Sequence, residues 1–340
     1  MLNHIEPLLG KTLQELQAIA QEVGLPRFAG KQLAEWLYVR RATTFDEMTN
    51  ISLKGREALK ERYTIGRHAP IAEAISKDGT KKYLFRIGEQ FVESVYLPED
   101  DRATLCVSTQ AGCKMGCKFC MTGTLGFHGH LAAADILNQI FSIPDADTLT
   151  NIVYMGEGEP MDNLDNVLRS LEAMTSPWGC AWSPKRITIS SVGINKGLKR
   201  FIEESDCHLA ISLHNPFGAE RQEIMPIEKV NHLSDVIALL KQYDWSHQRR
   251  VSFEYICWGG VNDTAKHANE LVRILKGLDC RINLIRFHAG VDHSFPNSNE
   301  KQMEWMRDYL TTKGITTTIR RSRGEDILAA CGMLVNALKS

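Results

Sequence analysis

From residue 103 onward the chain repeats one pattern, a short β-rich segment followed by a longer stretch of helical periodicity. The strand candidates are ATLCVS (103–108), NIVYMG (151–156), RITISS (186–191), HLAISLH (208–214), RVSFEYI (250–256), INLIRF (282–287) and ITTTIR (315–320). Helical patterns lie between most of them, for example at 131–141, 163–174, 232–243 and 263–276. This order restricts the fold severely. Parallel neighbours cannot be joined by tight hairpins, so each strand needs a crossover helix packed on the sheet. The expectation is an α/β domain with a parallel sheet, open or closed into a barrel, whose chemistry sits at the C-terminal strand ends.

The first hundred residues read differently. LQELQAIAQEVG (13–24), GKQLAEWLYVR (30–40) and SLKGREALKERY (52–63) carry helical apolar stripes, the third interrupted by Gly55. Between 71 and 98 an Asp78-Gly79 turn signal precedes alternating segments around Tyr83, Phe85 and Ile87 and around Phe91, Val92 and Val95. Three parts are expected: a helical head over 1–70, a β-hairpin linker over 71–98, and the α/β core over 99–340.

A composition of 43% hydrophobic and 24% charged residues suits a chain with a large core. The net charge of −1 gives no global attraction to nucleic acid, so any such binding must be local. Arg249-Arg250, and Arg320-Arg321 with Arg323, read as solvated surface. No apolar run approaches the roughly 18 residues of a membrane helix, and the first residues lack a signal-peptide pattern. A cytoplasmic protein with no membrane partner is expected. In that compartment the nine cysteines do not suggest a disulfide framework. Cys180, Cys207, Cys257 and Cys280 sit in apolar surroundings and read as core.

Directly after the first core strand comes Cys113-x3-Cys117-x2-Cys120. Three soft thiolates on one loop suit zinc or an iron–sulfur cluster. With Cys106 as a fourth sulfur they could hold zinc. As three ligands of a four-iron cluster they would leave one iron open to a ligand from outside the protein. Other strand ends also carry unusual residues. Gly156-Glu157-Gly158-Glu159-Pro160 follows the second strand, Ser190-Ser191-Val192-Gly193 ends the third, and Ser212-Leu213-His214 ends the fourth. Arg286-Phe287-His288 ends the sixth, and Cys331 follows the last. Together they describe a site around a small molecule bound at the cysteines.

The cysteine loop resembles that of the radical SAM superfamily. The stretch from Phe91 to Cys120 is similar to the corresponding part of the RlmN/Cfr family of RNA adenine methyltransferases. LPRFAGKQLAEWLY (25–38), GEGEPMDN, SLH and GEDILAACG (324–332) extend the likeness over nearly the whole chain. The resemblance implies a partial (βα)6 barrel with a small RNA-docking head, where Lys31, Arg40 and Arg41 could meet phosphates. It implies a [4Fe-4S] cluster on Cys113, Cys117 and Cys120, with S-adenosyl-L-methionine chelating the open iron. Gly158, Glu159, Ser190, Ser212, Leu213, His214 and His288 fall at family positions that contact S-adenosylmethionine. Cys331 matches the cysteine that receives a methyl group and, after hydrogen abstraction by a 5′-deoxyadenosyl radical, adds its carbon to the adenine. Cys106 would then form a disulfide with Cys331 to release the product. Glu93 matches the base that removes the ring proton. The implied product is a methylated adenine carbon, C2 first, in large-subunit ribosomal RNA, with transfer RNA a second candidate. An electron donor such as a flavodoxin or ferredoxin, and a monomeric enzyme, complete the expectation. The target base would be unpaired or splayed out.

The chain departs from the family pattern at three places. His288 stands in a segment where family members commonly have Asn. Met333 stands where Gln is expected two residues after Cys331. GEGEP replaces the more usual GMGEP, which would add Glu157 to the rim. A family member acting on another RNA site or carbon is therefore one alternative, and a zinc-bearing RNA-binding module without catalysis is another.

Overall fold

The computed structural model describes residues 5–245, 251–288, 295–330 and 332–334. The head begins with β1 (Glu6–Pro7) and contains α1 (Leu13–Glu22), α2 (Ala29–Ala34) and α3 (Leu53–Lys60). It ends at β2 (Tyr63–Thr64), which pairs parallel with β1. A capping box starts α1: Thr12 Oγ1 accepts from the Glu15 N–H, and the Glu15 carboxylate accepts from the Thr12 N–H at 2.8 Å. The second predicted helix is present, but after α2 it loosens into a π-helical turn, Glu35–Val39.

The segment after the head is a three-stranded antiparallel meander of β3 (Ala72–Ile75), β4 (Lys81–Ile87) and β5 (Gln90–Pro98). It continues the main sheet, because β5 pairs antiparallel with the first core strand, β6 (Ala103–Cys106), placing Val95 opposite Cys106. Then β7 (Gln110–Gly112), α4 (Met121–Thr124) and β8 (Phe127–His130) frame the cysteine loop.

Strand and helix alternate from there, as the sequence pattern requires. The order is α5 (Ala133–Ser142), β9 (Asn151–Tyr154), α6 (Leu164–Thr175), β10 (Ile187–Ser191), α7 (Asn195–Glu204) and β11 (His208–Ser212). It continues through α8 (Gly218–Ile224), α9 (Leu233–Leu240), β12 (Val251–Cys257), α10 (Ala265–Leu275), β13 (Cys280–Arg286), α11 (Glu300–Thr312) and β14 (Thr316–Ile319). Among the described residues the sheet order is β14-β13-β12-β11-β10-β9-β6-β5-β4-β3, parallel from β6 to β14. Six strand–helix units and a seventh strand thus make the partial barrel. Every residue of the interior strand β12 is buried, so each large apolar side chain there contributes about 1.5–3 kcal/mol.

The head packs on the outer side of α5. Asn138 exchanges hydrogen bonds with the backbone of His68, at 2.8 and 3.1 Å, and Arg41 pairs with Asp147 at 2.8 Å. Cys207, Cys257 and Cys280 are buried as expected, and the half-buried Cys180 donates its thiol to the Tyr38 carbonyl of the head. No helix among the described residues is long and apolar enough to cross a membrane.

Candidate active site

The cysteine loop is shaped by its backbone. Gly112 adopts φ +70°, and a Cβ there would lie 1.9 Å from the Gly126 carbonyl oxygen, which accepts from the Cys113 N–H at 2.9 Å. Only glycine permits this closure of β7 on β8. Cys113, Cys117 and Cys120 consequently line one cavity at the C-terminal ends of the strands. Burial pushes all three thiols up, Cys113 to about 12; Cys120 raises Cys113 further, and both raise Cys117. The chain alone keeps them protonated, and a bound cationic centre supplies what ionises such a set.

The donor set fits a cluster better than a single zinc ion. Zinc needs its ligands within about 2.3 Å of one point, whereas a cubane takes each cysteine on a different iron. Among the described residues no three His, Cys, Asp or Glu side chains converge on one such point. Cys106, the fourth sulfur of the zinc reading, lies in a second chamber below.

Gly158, Glu159, Ser190, Ser212 and His214 line the cysteine cavity. A Cβ on Gly158, at φ +98°, would lie 2.5 Å from Gln110 Cβ, so this turn must be glycine for β7 to pass. The Glu159 side chain is spent on the protein. Its carboxylate accepts from the N–H groups of Met161 and Val192, at 3.0 and 2.9 Å, tying the β9 end to the β10 end. Burial nevertheless pushes its carboxyl up to about 7. His214 has φ +55°, unusual for a residue with a side chain. Its Nδ1 accepts from the Ile256 N–H at 3.0 Å, and burial, with the Arg221 cation nearby, brings it down to about 3. The imidazole is therefore neutral and carries its proton on Nε2. Phe119 of the cysteine loop stacks edge-on against it, 4.7 Å between centroids.

Other expected residues lie elsewhere. Leu213 is wholly buried in the core, and its backbone makes the contacts, with N–H to the Glu254 carbonyl and its own carbonyl to Arg221. His288 lines the second chamber rather than the cysteine cavity. There its Nε2 lies 2.6 Å from Ser322 Oγ and its Nδ1 3.5 Å from Glu325, which turns the ring toward the C-terminal segment. Cys331 lies outside the described residues, though Gly332 lines both chambers and Ala330 lines the second. Arg249 and Arg250 are outside them too. Met155, Glu254, Ile285 and Arg320 also border both chambers, so the two adjoin.

The rim placement of Glu157 is corrected by the structure. The residue is buried, and its carboxylate accepts from the N–H of Glu93 at 2.8 Å and of Gly112 at 3.2 Å. It adds no charge to the rim. It staples β5 to the cysteine loop instead. The solvated reading of the arginines is also incomplete, because Arg320, Arg321 and Arg323 line the second chamber. In the head, Arg40 pairs with Glu35 and lies over the Trp36 ring, while Arg41 holds Asp147.

Glu93 is wholly buried and forms an ion pair with Lys82 at 3.1 Å. Two residues with no local signal prove central. Lys82 belongs to no motif and lies within β4. Arg221, on the unforeseen helix α8, is completely buried and donates to the carbonyls of Leu213, Ser212 and Val192 and to the Glu228 carboxylate. One guanidinium thereby fixes the ends of two strands that line the cavity.

Comparison with known proteins agrees with this geometry. Residues 7–65 match the ribosomal RNA large subunit methyltransferase N-terminal domain, and residues 107–313 match the radical SAM superfamily. The chain is 58% identical over 332 residues to the probable dual-specificity RNA methyltransferase RlmN of Bacteroides thetaiotaomicron, covering 97% of this chain and 96% of that protein. It is 40% identical over 344 residues to the dual-specificity RNA methyltransferase RlmN of Nitratidesulfovibrio vulgaris, covering 96% and 94%. A crystal structure of a radical SAM methyltransferase from Sphaerobacter thermophilus superposes with a TM-score of 0.91 at 35% identity, covering 97% of this chain and 99% of that one. With a matching head, a matching barrel and relatives this similar over almost its full length, the chain belongs to the RlmN family of radical SAM methyltransferases.

Proposed function

We propose that this protein is an S-adenosylmethionine-dependent radical methyltransferase that methylates C2 of an adenine in RNA, with large-subunit ribosomal RNA its first substrate and transfer RNA its second. The observation that carries the reading is the convergence of Cys113, Cys117 and Cys120 with Gly158, Ser190, Ser212 and His214 on one cavity, adjoining the chamber that holds Cys106. Cys113, Cys117 and Cys120 would hold a [4Fe-4S] cluster, which would supply one-electron cleavage of S-adenosylmethionine.

The chain's own residues then have distinct tasks. His214 offers a neutral Nε2–H donor at the cavity wall, fixed by the bond at its Nδ1. Glu159 holds the β9 and β10 ends at a fixed separation. Cys331 carries the methyl-derived carbon to the adenine, and Cys106 takes up the Cys331 sulfur as a disulfide when product leaves. Cys106 packs beside Val95, Ala329 and Leu334, so it borders the segment that contains Cys331. Glu93 accepts the ring proton. Arg320, Arg321 and Arg323 at the second chamber, with Arg281, suit the phosphates of a strand delivering its base. A flavodoxin or ferredoxin supplies the electron, and the enzyme works as a cytoplasmic monomer.

The test is twofold. Anaerobically reconstituted protein with S-adenosylmethionine and dithionite should release 5′-deoxyadenosine, and ribosomal RNA from a deletion strain should lack a methyladenosine present in the parent. An unchanged nucleoside profile in ribosomal and transfer RNA would overturn the RNA reading. Zinc in place of iron and sulfide would favour the non-catalytic module.

A further inference from the structure

The register of the antiparallel meander brings an unassigned cation to Glu93. Leu84 on β4 stands opposite Glu93 on β5, and Lys82 stands opposite Val95. Lys82 is thus the diagonal neighbour of Glu93 on the same sheet face. That face continues to Cys106, which stands opposite Val95. Lys82 and Glu93 are 1% and 0% exposed, and their charged atoms lie 3.1 Å apart. The Lys82 ammonium also donates to the Leu328 carbonyl at 3.3 Å, on the segment that leads to Cys331. Leu328 adopts φ +53°, so its carbonyl is aimed by a backbone conformation that side chains disfavour.

A carboxylate removed this completely from water takes up a proton unless a cation stands beside it. A general base must do the reverse and remain ionised until its substrate arrives. We infer that Lys82 is a positioning residue of the methyl-transfer reaction, holding Glu93 as a carboxylate and fixing it against the C-terminal segment at Leu328. The inference rests on Glu93 being the base. In that step Glu93 receives the proton from the ring carbon and becomes the neutral acid, and the C–H electron pair stays in the ring. Lys82 keeps its own proton throughout. Charged groups near the pair include Glu157, whose carboxylate accepts from the Glu93 N–H. On the C-terminal segment Glu325 is turned to His288, and Asp326 to Ser76 and Lys77.

The experiment compares Lys82→Met, Lys82→Gln, Lys82→Arg and Glu93→Gln in the reconstituted holoenzyme on ribosomal RNA. Cluster absorbance and 5′-deoxyadenosine release serve as checks that each variant is folded and loaded. Lys82→Met and Lys82→Gln should lower methylated product at pH 7 by about 100-fold or more, the low end of what a general base contributes. Product should recover as the pH is raised, and RNA bound covalently to protein should accumulate meanwhile. Lys82→Arg, which keeps the cation, should retain most activity. A merely structural lysine would lower all readouts together and show no recovery with pH, which would overturn the proposal. So would full turnover by Lys82→Gln at pH 7. Should one neutral variant fail the loading checks, the other and the Lys82→Arg pH profile decide. Product formation by Glu93→Gln would instead remove Glu93 as the base, a separate failure that leaves the ion pair as structure.

Discussion

Removing the Arg221 guanidinium tests how the strand ends are held. In Arg221→Met the side chain keeps its length and apolar stem but loses every donor. Three carbonyls, those of Val192, Ser212 and Leu213, lose partners at 2.8, 2.9 and 3.0 Å, and Glu228 loses its counter-charge. Glu228 keeps the Leu233 N–H, at 3.1 Å, and the His232 imidazole, at 3.7 Å, while remaining almost fully buried. Breaking a buried pair from one side costs about 3–5 kcal/mol. The three carbonyl bonds share one side chain and do not add independently, so about 4 kcal/mol is the expected total. Against a fold stability of about 5–15 kcal/mol this is a large loss. Urea denaturation of the apo-protein measures it directly. The double variant Arg221→Met/Glu228→Leu should recover most of the loss, because an apolar pair replaces a buried ion pair at little cost. S-adenosylmethionine affinity should fall in both variants, since Val192 and Ser212 line the cavity. A single variant within about 1 kcal/mol of the parent, or a double variant no better than the single, would refute the reasoning.

Further outcomes follow from the same contacts. Gly158→Ala should fold poorly or lose S-adenosylmethionine binding, because its Cβ would meet Gln110 at 2.5 Å in a left-handed turn; unchanged affinity by calorimetry would contradict this. Cys331→Ala should abolish methylation while leaving the cluster absorbance intact, and normal turnover would remove its assigned role. Burial raises the Asp78 carboxyl, but hydrogen bonds from Thr80, Gly324 and Ser76 outweigh it and hold the group down to about 2. A depressed carboxylate stabilises the fold above its unfolded value near 3.8 and loses that effect as pH falls through about 2. Hydrogen exchange at Gly324 should therefore accelerate across that window, and Asp78→Ala should show the acceleration already at neutral pH.

Much of the architecture was legible because it is written locally. The β-rich segments and their spacing announced parallel strands, and the helical stripes between them announced the crossovers. Helices α4, α7, α8 and α11 were not singled out. In α7, Gly197 interrupts an otherwise polar start, and only Leu198, Phe201 and Ile202 join Gly197 in the core. The expected hairpin is β4 and β5, which turn at Gly88-Glu89, whereas Asp78-Gly79 joins β4 to an additional strand, β3. The hairpin's continuity with the main sheet depends on β5 meeting β6, which no local pattern records.

The gathering of Cys113, Cys117 and Cys120 on one cavity was readable from sequence alone, because three cysteines within eight residues need only one turn to converge. Glu157 shows the opposite case. Its neighbours in sequence suggested a rim carboxylate, yet its partners are the backbones of Glu93 and Gly112, 64 and 45 residues away. Lys82 is paired across a strand register, and Arg221 acts on strand ends that come together only in the barrel. Chemistry carried by adjacent residues can be seen in the chain itself. Whether a charge is buried, and what neutralises it, is fixed by which distant segments the sheet makes neighbours, because burial and ion pairing are properties of the packed whole.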